Sequence, residues 1–113
     1  MKTNERTKRQ DLATQLEQLM NATVQVSGFT KETLLSQARF REIAEYRMVF
    51  YYLAITLLGA RLEQVAEFTE RTPGAVLNGF RRIRSLMMYY DINSKVKQIR
   101  YDFLSSNNQA SER

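Results

Sequence analysis

Residues 62–84, with the sequence LEQVAEFTERTPGAVLNGFRRIR, restrict the fold more than any other part of the chain. They combine a short amphipathic helix, a tight turn and a longer helix, which is the layout of a helix-turn-helix. Thr72 stands where an N-cap is needed, and Pro73 follows at the first helical position, where a missing N–H costs nothing. We predict that the second helix spans residues 73–90. The residues that recur at helical spacing, and are therefore predicted to face the core, are Val76, Phe80, Ile83, Met87 and Tyr90. Asp91 or Asn93 then breaks this helix and caps a last helix that reaches about residue 104, with Val96, Ile99 and Phe103 facing the core.

The opposite side of this second helix is polar or small. It carries Gly74, Asn78, Arg81, Arg82 and Ser85. A helix that buries one side and exposes Asn and Arg on the other fits the major groove of duplex DNA, where these side chains match base edges and phosphates. The alternative is an ordinary helical hairpin whose arginines are only solvated.

Two glycines lie inside the predicted second helix. Each costs about 1 kcal/mol relative to alanine in a helix interior, so their presence indicates either a close approach to the backbone or an imperfect helix. We expect a close approach, by the sugar–phosphate backbone of DNA at Gly74 and by a neighbouring helix at Gly79.

Composition favours one all-α domain. The chain has 113 residues, 43% of them hydrophobic, with a single proline and four glycines, so it can build one core from helices. We predict five to six short helices around a central buried helix at residues 42–58, which ends at Gly59. The domain is predicted to span residues 10–104, between a basic, flexible segment at 1–9 and a disordered tail at 105–113.

The chain contains neither histidine nor cysteine. Histidine is the usual general base and the commonest metal ligand, and cysteine supplies disulfides and thiolate metal sites. We therefore predict a non-enzymatic protein without cofactor or metal, and a cytoplasmic location. No secretory signal is evident, and the most apolar run, residues 48–58, would span only about 16 Å as a helix, about half of a bilayer core. No membrane partner is predicted.

Positive charge is concentrated near the predicted second helix. The net charge is +5 and the pI is about 9.7, which favours a polyanionic partner. The first helix of the pair is instead acidic, with Glu63, Glu67 and Glu70. Between residues 81 and 100 there is one anion, Asp91, and six cations: Arg81, Arg82, Arg84, Lys95, Lys97 and Arg100. This asymmetry favours duplex DNA as the partner.

A further amphipathic pattern covers residues 10–21, where Leu12, Leu16 and Leu19 share one stripe. The stripe packs either on the rest of the domain or on a second copy of the chain or another protein. A homodimer or a protein partner bound through this helix is therefore the alternative partner prediction. Residues 23–29 are predicted to form a connector after it.

A basic loop precedes the apolar central helix. Two leucines at residues 34–35 are followed by the basic segment RFR at residues 39–41, and Arg47 then precedes the apolar run. Together with LEQV at residues 62–65, this order resembles the C-terminal DNA-binding domain of the bacterial replication initiator DnaA, which has a Trp-repressor-like fold. The resemblance implies duplex-DNA binding in the regulation of replication or transcription. No Gly-x-x-x-x-Gly-Lys-Ser/Thr loop occurs, so these 113 residues are not expected to act as an ATP-driven initiator by themselves.

The signature of that family, Gly-Gly-Arg-Asp-His-Ser/Thr-Thr-Val, is only partly present. Four positions fit the framework of the signature and of the helix after it: Arg71, Val76, Arg82 and Ile83. Residues 72–75 read TPGA, where the family has Asp-His and a pair of hydroxyl residues. The base contacts that the family makes with those side chains cannot be made here.

The resemblance places Arg47 at the position of an arginine that enters the minor groove in the family. Its alternatives are to cap the buried helix or to pair with Glu42 or Glu45. Arg39 and Arg41 are expected to hold the DNA backbone or the minor groove.

The remaining predicted contacts belong to the helix-turn-helix. Asn78 can pair bidentately with adenine or remain a tolerated surface residue. Arg81 and Arg82 can bind phosphates, one of them can reach a guanine, or both only keep the chain soluble. The complete predicted DNA-binding set is Arg39, Arg41, Arg47, Arg71, Thr72, Gly74, Asn78, Arg81 and Arg82. The alternative function is a protein-interaction or dimerisation module that keeps the fold without sequence-specific DNA recognition.

Overall fold

The structure, a computed structural model, describes residues 12–111, with side chains as far as residue 106. This part of the chain contains six α-helices and no strand. The helices are α1 (Leu12–Ser27), α2 (Lys31–Leu35), α3 (Arg41–Thr56), α4 (Leu62–Thr69), α5 (Pro73–Leu86) and α6 (Tyr90–Ser111). The predicted all-α fold is confirmed. The basic segment predicted at residues 1–9 lies outside the described residues.

Helix α3 is the central buried helix, as predicted. Val49, Phe50 and Ala54 are completely buried, and α3 packs against each of the other helices. Gly59 follows α3 with a φ of 71°, a backbone conformation that glycine adopts without steric cost. Within residues 12–111, no helix combines the length and hydrophobicity that crossing a bilayer requires.

Helix α1 is longer than predicted. It continues to Ser27, through most of the expected connector at residues 23–29. Thr23 is buried there, because its hydroxyl donates a hydrogen bond to the Leu19 carbonyl oxygen at 2.9 Å and so needs no other partner. Leu16 and Leu19 lie in the core of the same chain, so these two residues are not available to a second copy or a partner protein.

Helices α4 and α5 form the predicted helix-turn-helix. Helix α4 ends at Thr69, and the next residue, Glu70, has a left-handed φ of 57° that turns the chain. The Thr72 hydroxyl oxygen accepts a hydrogen bond from the backbone N–H of Ala75 at 3.1 Å, and Pro73 is the first helical residue. The predicted N-cap is confirmed, and it fixes where α5 begins.

The predicted end of the second helix is wrong. Helix α5 stops at Leu86, and a new helix begins at Tyr90. The side-chain amide of Asn93 donates to the Met87 carbonyl oxygen at 3.1 Å, which gives the chain an alternative to continued helical pairing. Tyr90 is 83% exposed rather than core-facing. The break lets α6 return to the core, where its buried residues are Ile92, Val96, Ile99 and Phe103.

Helix α6 also differs from its prediction at its C-terminal end. The predicted domain ended at residue 104, but the helix continues to Ser111. The apolar stripe that guided the prediction ends with Phe103, so helical spacing gave no sign of the turns that follow.

Candidate nucleic-acid interface

Helix α5 separates buried and exposed residues as its sequence pattern predicts. Val76 and Ile83 are completely buried against the core, and the Phe80 ring stacks on Tyr52 with 5.5 Å between centroids. The residues predicted to face away from the core are all exposed: Gly74, Asn78, Arg81, Arg82 and Ser85. The exposed side of the second helix of the helix-turn-helix is therefore polar and positively charged.

The two glycines of α5 have different surroundings. A Cβ added to Gly79 would lie 2.7 Å from Tyr51 Cδ2 and 2.9 Å from Met48 Cγ, both on α3. The predicted close approach of a neighbouring helix at Gly79 is confirmed. A Cβ added to Gly74 would meet only the Thr72 hydroxyl oxygen, at 4.0 Å. Among the described residues, no packing requires a glycine at position 74.

Arg47 holds the segment between α2 and α3. Its Nε donates to the Leu34 carbonyl oxygen at 2.6 Å, and its Nη2 donates to the carbonyl oxygens of Ser36 and Ala38 at 2.9 and 3.3 Å. Of the alternatives open from the sequence, pairing with Glu42 or Glu45 is not what the structure shows. The guanidinium binds the backbone of the loop.

Arg71, in the turn between α4 and α5, reaches the same loop. Its Nη2 donates to the Leu35 carbonyl oxygen at 3.3 Å and to the Ser36 carbonyl oxygen. Two arginines that are distant in sequence therefore share one carbonyl acceptor. Burial lowers the pKa of Arg47, and the nearby positive charge of Arg71 lowers it further.

No carboxylate balances these arginines within the part of the chain that the structure describes. The ion pairs there join Lys31 to Glu17, and Arg41 and Lys95 to Glu45. A groove of about 360 Å³ lies between α3 and α5, and four predicted contact residues line it: Arg47, Arg71, Asn78 and Arg82. The structure thus gathers four of the predicted residues around one electropositive groove.

Arg39 and Arg41 flank the exposed end of the loop. Arg39 is exposed, and the intervening Phe40 is 76% exposed. Arg41 Nε donates to Glu45 Oε2 at 3.3 Å, and Arg41 borders a different groove, of about 620 Å³, beside Lys95. The structure therefore places Arg39 on the same loop that Arg47 and Arg71 bind, whereas Arg41 turns toward α6.

Glu45 connects α3 to α6. Its Oε1 accepts a hydrogen bond from Lys95 Nζ at 2.7 Å, and the Lys95 ammonium lies 4.8 Å from the centroid of the Tyr46 ring. Burial alone would raise the pKa of Glu45, but hydrogen bonding and attraction from Lys95 and Arg41 outweigh burial and the pKa is lowered. Among the described residues, no three acidic side chains are close enough together to hold a metal ion.

The family described as bacterial dnaA protein helix-turn-helix matches residues 16–83. The chain belongs to the bacterial DnaA helix-turn-helix family. A relative, the chromosomal replication initiator protein DnaA of Pseudothermotoga lettingae, is 30% identical over 70 residues, which are 62% of this chain and 16% of that protein. This chain therefore corresponds to a small part of its DnaA relative. The match ends within α5, so α6 lies beyond it.

The side chains of the first turn of α5, where the DnaA signature falls, offer few hydrogen-bonding groups. The Thr72 hydroxyl is used as the N-cap, and residues 73–75 are proline, glycine and alanine. Polar groups on the exposed side of α5 therefore begin one turn later, at Asn78.

Sequence reasoning missed the common carbonyl target of Arg47 and Arg71. Arg71 was predicted as a residue of the DnaA signature and as a DNA contact, not as a support for the loop. Ser36, which lies 35 residues before it, was not identified at all. Nothing in local spacing indicates a contact between a loop and a turn so far apart in the chain. The sequence carries no signal for it, because glutamates lie close to both arginines, Glu45 near Arg47 and Glu70 beside Arg71.

Proposed function

We propose that this chain is a non-enzymatic duplex-DNA-binding protein in which α5 approaches the major groove. The observation that carries the proposal is the exposed side of α5, where Asn78, Arg81 and Arg82 extend from the second helix of a helix-turn-helix. Membership of the DnaA family supports it. Such side chains serve phosphate and base-edge contacts in other helix-turn-helix proteins.

Each predicted residue has a distinct part in the proposed complex. Arg81 and Arg82 bind phosphates, and Asn78 meets a base edge, with adenine the fitting base. Arg39, at the exposed loop, reaches the backbone or the minor groove beside the major groove that α5 enters. Thr72 and Gly74 lie against the DNA backbone at the start of α5.

Arg41, Arg47 and Arg71 contribute mainly through their positive charge. Arg41 is already paired with Glu45, and the other two guanidiniums hold the loop. Because the first turn of α5 lacks base-contacting side chains, we expect binding that depends more on charge and DNA shape than on base sequence.

The test is fluorescence anisotropy of a labelled duplex at several salt concentrations. We expect micromolar affinity at low salt, with the logarithm of the association constant falling linearly with the logarithm of salt concentration. Replacing Arg81 and Arg82 together by alanine should weaken binding by about tenfold or more and reduce the salt slope by about 2. Binding that is indifferent to salt, or unaffected by this double substitution, would contradict the proposal.

The matched control removes the same charge from another surface. Lys97 and Arg100 are exposed on α6, and replacing both by alanine changes the net charge as much as the α5 variant does. We expect a smaller loss of affinity for this control. Equal losses would mean that net charge, and not the α5 surface, determines binding.

A second candidate function is a protein-interaction module. It is favoured by the turn between α5 and α6, where Met88, Tyr89 and Tyr90 are 81%, 57% and 83% exposed. Aromatic and methionine side chains are frequent in protein interfaces. Replacing Tyr89 and Tyr90 by serine should abolish self-association or partner binding in sedimentation measurements, and replacing Arg81 and Arg82 should leave it intact.

A further inference from the structure

We propose that Arg47 and Arg71 are positioning residues: together they lock the loop at residues 36–40 against α3 and the turn of the helix-turn-helix. The loop with Arg39 and helix α5 then meet DNA as one rigid unit. The DNA part of this inference rests on the proposed function, whereas the locking of the loop concerns the free protein.

The contacts come from two different parts of the chain and converge on one short segment. Arg47 approaches from α3 and donates to Leu34, Ser36 and Ala38. Arg71 approaches from the turn before α5 and donates to Leu35 and Ser36. The loop is therefore bound simultaneously to the central helix and to the helix-turn-helix.

The acceptors are carbonyls that the short helix α2 leaves without helical partners. Helix α2 has only five residues, so its last carbonyl groups need hydrogen-bond donors from outside the helix. The segment has little internal bonding: the Ser36 hydroxyl donates to the Thr33 carbonyl oxygen at 2.7 Å and accepts from the Ala38 N–H at 3.1 Å. Without the arginines, the described segment would keep only these bonds and the one from the Ser36 backbone N–H to the Thr33 carbonyl oxygen at 3.2 Å.

Direct insertion of Arg47 into the minor groove conflicts with this geometry. Both Nε and Nη2 are already used on the backbone. Reaching DNA would break all three hydrogen bonds and remove the Arg47 donors from the Leu34 and Ala38 carbonyl groups. Arg39, which is exposed on the held loop, can reach DNA without breaking them. The geometry favours Arg39 as the contact and Arg47 as its support.

The charge of the pair links loop locking to DNA binding. Two guanidiniums share the Ser36 carbonyl, and neither has a carboxylate partner within residues 12–106. A phosphate near the groove offsets their mutual repulsion. Bound DNA therefore tightens the loop, and a tight loop favours bound DNA, as reciprocal coupling requires.

The first experiment uses the free protein. Arg47→Lys and Arg71→Lys keep the charge but lose the planar donor geometry that reaches several carbonyls. We expect hydrogen exchange of the backbone amides at residues 36–40 to become about tenfold faster in either variant. Arg100→Lys on α6 is the control and should not change it. Unchanged hydrogen exchange of the loop in Arg47→Lys would overturn the proposal. Hydrogen exchange of the other amides and circular dichroism distinguish opening of the loop from unfolding of the whole protein.

The second experiment is a double-mutant cycle on DNA affinity. In the wild-type background, Arg39→Ala should weaken binding about tenfold. In the Arg47→Lys background, the same substitution should have little effect, because Arg39 is no longer held in place. Strictly additive losses would mean that Arg47 contacts DNA independently, and would overturn the positioning role.

The two experiments keep this inference apart from the proposed function. If the wild-type protein does not bind duplex DNA even at low salt, DNA binding is wrong, and loop exchange still decides whether the two arginines lock the loop. If DNA binds and loop exchange is unchanged in Arg47→Lys, the proposed function stands and the positioning role is wrong.

Discussion

Helix α3 makes two contacts of opposite character with the helices on either side of it. Toward α5, the backbone at Gly79 packs directly on Met48 and Tyr51, with no space for a side chain. Toward α6, Glu45 pairs with Lys95 at 2.7 Å, with 15% and 17% of the two side chains exposed. One contact depends on close packing and the other on charge.

The difference indicates how each side of the molecule responds to change. A close-packed contact tolerates little added volume and is insensitive to pH. A partly buried ion pair tolerates small changes in volume, but it weakens when either group loses its charge. The proposed DNA-binding helix α5 is held by the packed contact, so its position relative to α3 should not vary with pH or salt.

The largest effect should come from adding volume to the contact between α3 and α5. Gly79→Val places a branched side chain where even a Cβ would lie 2.7 Å from Tyr51 Cδ2. We expect the free energy of unfolding to fall by about 2–3 kcal/mol, measured by urea denaturation. The free energy of unfolding of Gly79→Ala should lie between those of the wild type and Gly79→Val. A fully stable Gly79→Val protein would show that α5 can shift away from α3 without loss.

A smaller effect, dependent on pH, should come from the contact between α3 and α6. Glu45→Gln removes the charge that Lys95 and Arg41 stabilise, and we expect a loss of about 1 kcal/mol at pH 7. Because the fold lowers the pKa of Glu45 below its ordinary value of 4.5, the charge contributes stability above that value. The contribution disappears as the pH falls through the lowered pKa.

The free energies of unfolding of the wild type and of Glu45→Gln, measured at neutral and acid pH, test this prediction through the difference between them. The gap between wild type and Glu45→Gln should close in acid, whereas the gap for Gly79→Val should persist. A gap for Glu45→Gln that stays constant with pH would mean that the ion pair does not contribute through its charge.

Much of this fold could be predicted from local chemistry. The N-cap at Thr72, the proline after it and the close approach at Gly79 each depend on neighbouring residues or on one helix face, and the structure confirms them. The end of α5 was missed because Met87 and Tyr90 continue its apolar spacing. The side-chain bond from Asn93 to Met87 shows a turn that helical spacing does not reveal.

The sequence predicts which residues of the candidate site are exposed on α5, but not the contacts by which the site is assembled. Exposure of Asn78, Arg81 and Arg82 follows from the periodicity of a single helix. The shared hold of Arg47 and Arg71 on Ser36 does not, because it joins three segments that only the tertiary fold brings together. Charge alone therefore did not distinguish arginines that build the loop from arginines that remain exposed.

The smallest predicted effect concerns the other glycine of α5. Gly74 is exposed and has no neighbour closer than 4.0 Å to an added Cβ, so Gly74→Ala should raise the free energy of unfolding by about 0.5–1 kcal/mol through its better helix propensity. If the DNA backbone approaches this position, the same variant should bind duplex DNA more weakly in anisotropy measurements. Higher stability with lower affinity is the result expected for a glycine that serves binding. Higher stability with unchanged affinity would mean that DNA does not approach α5 at Gly74.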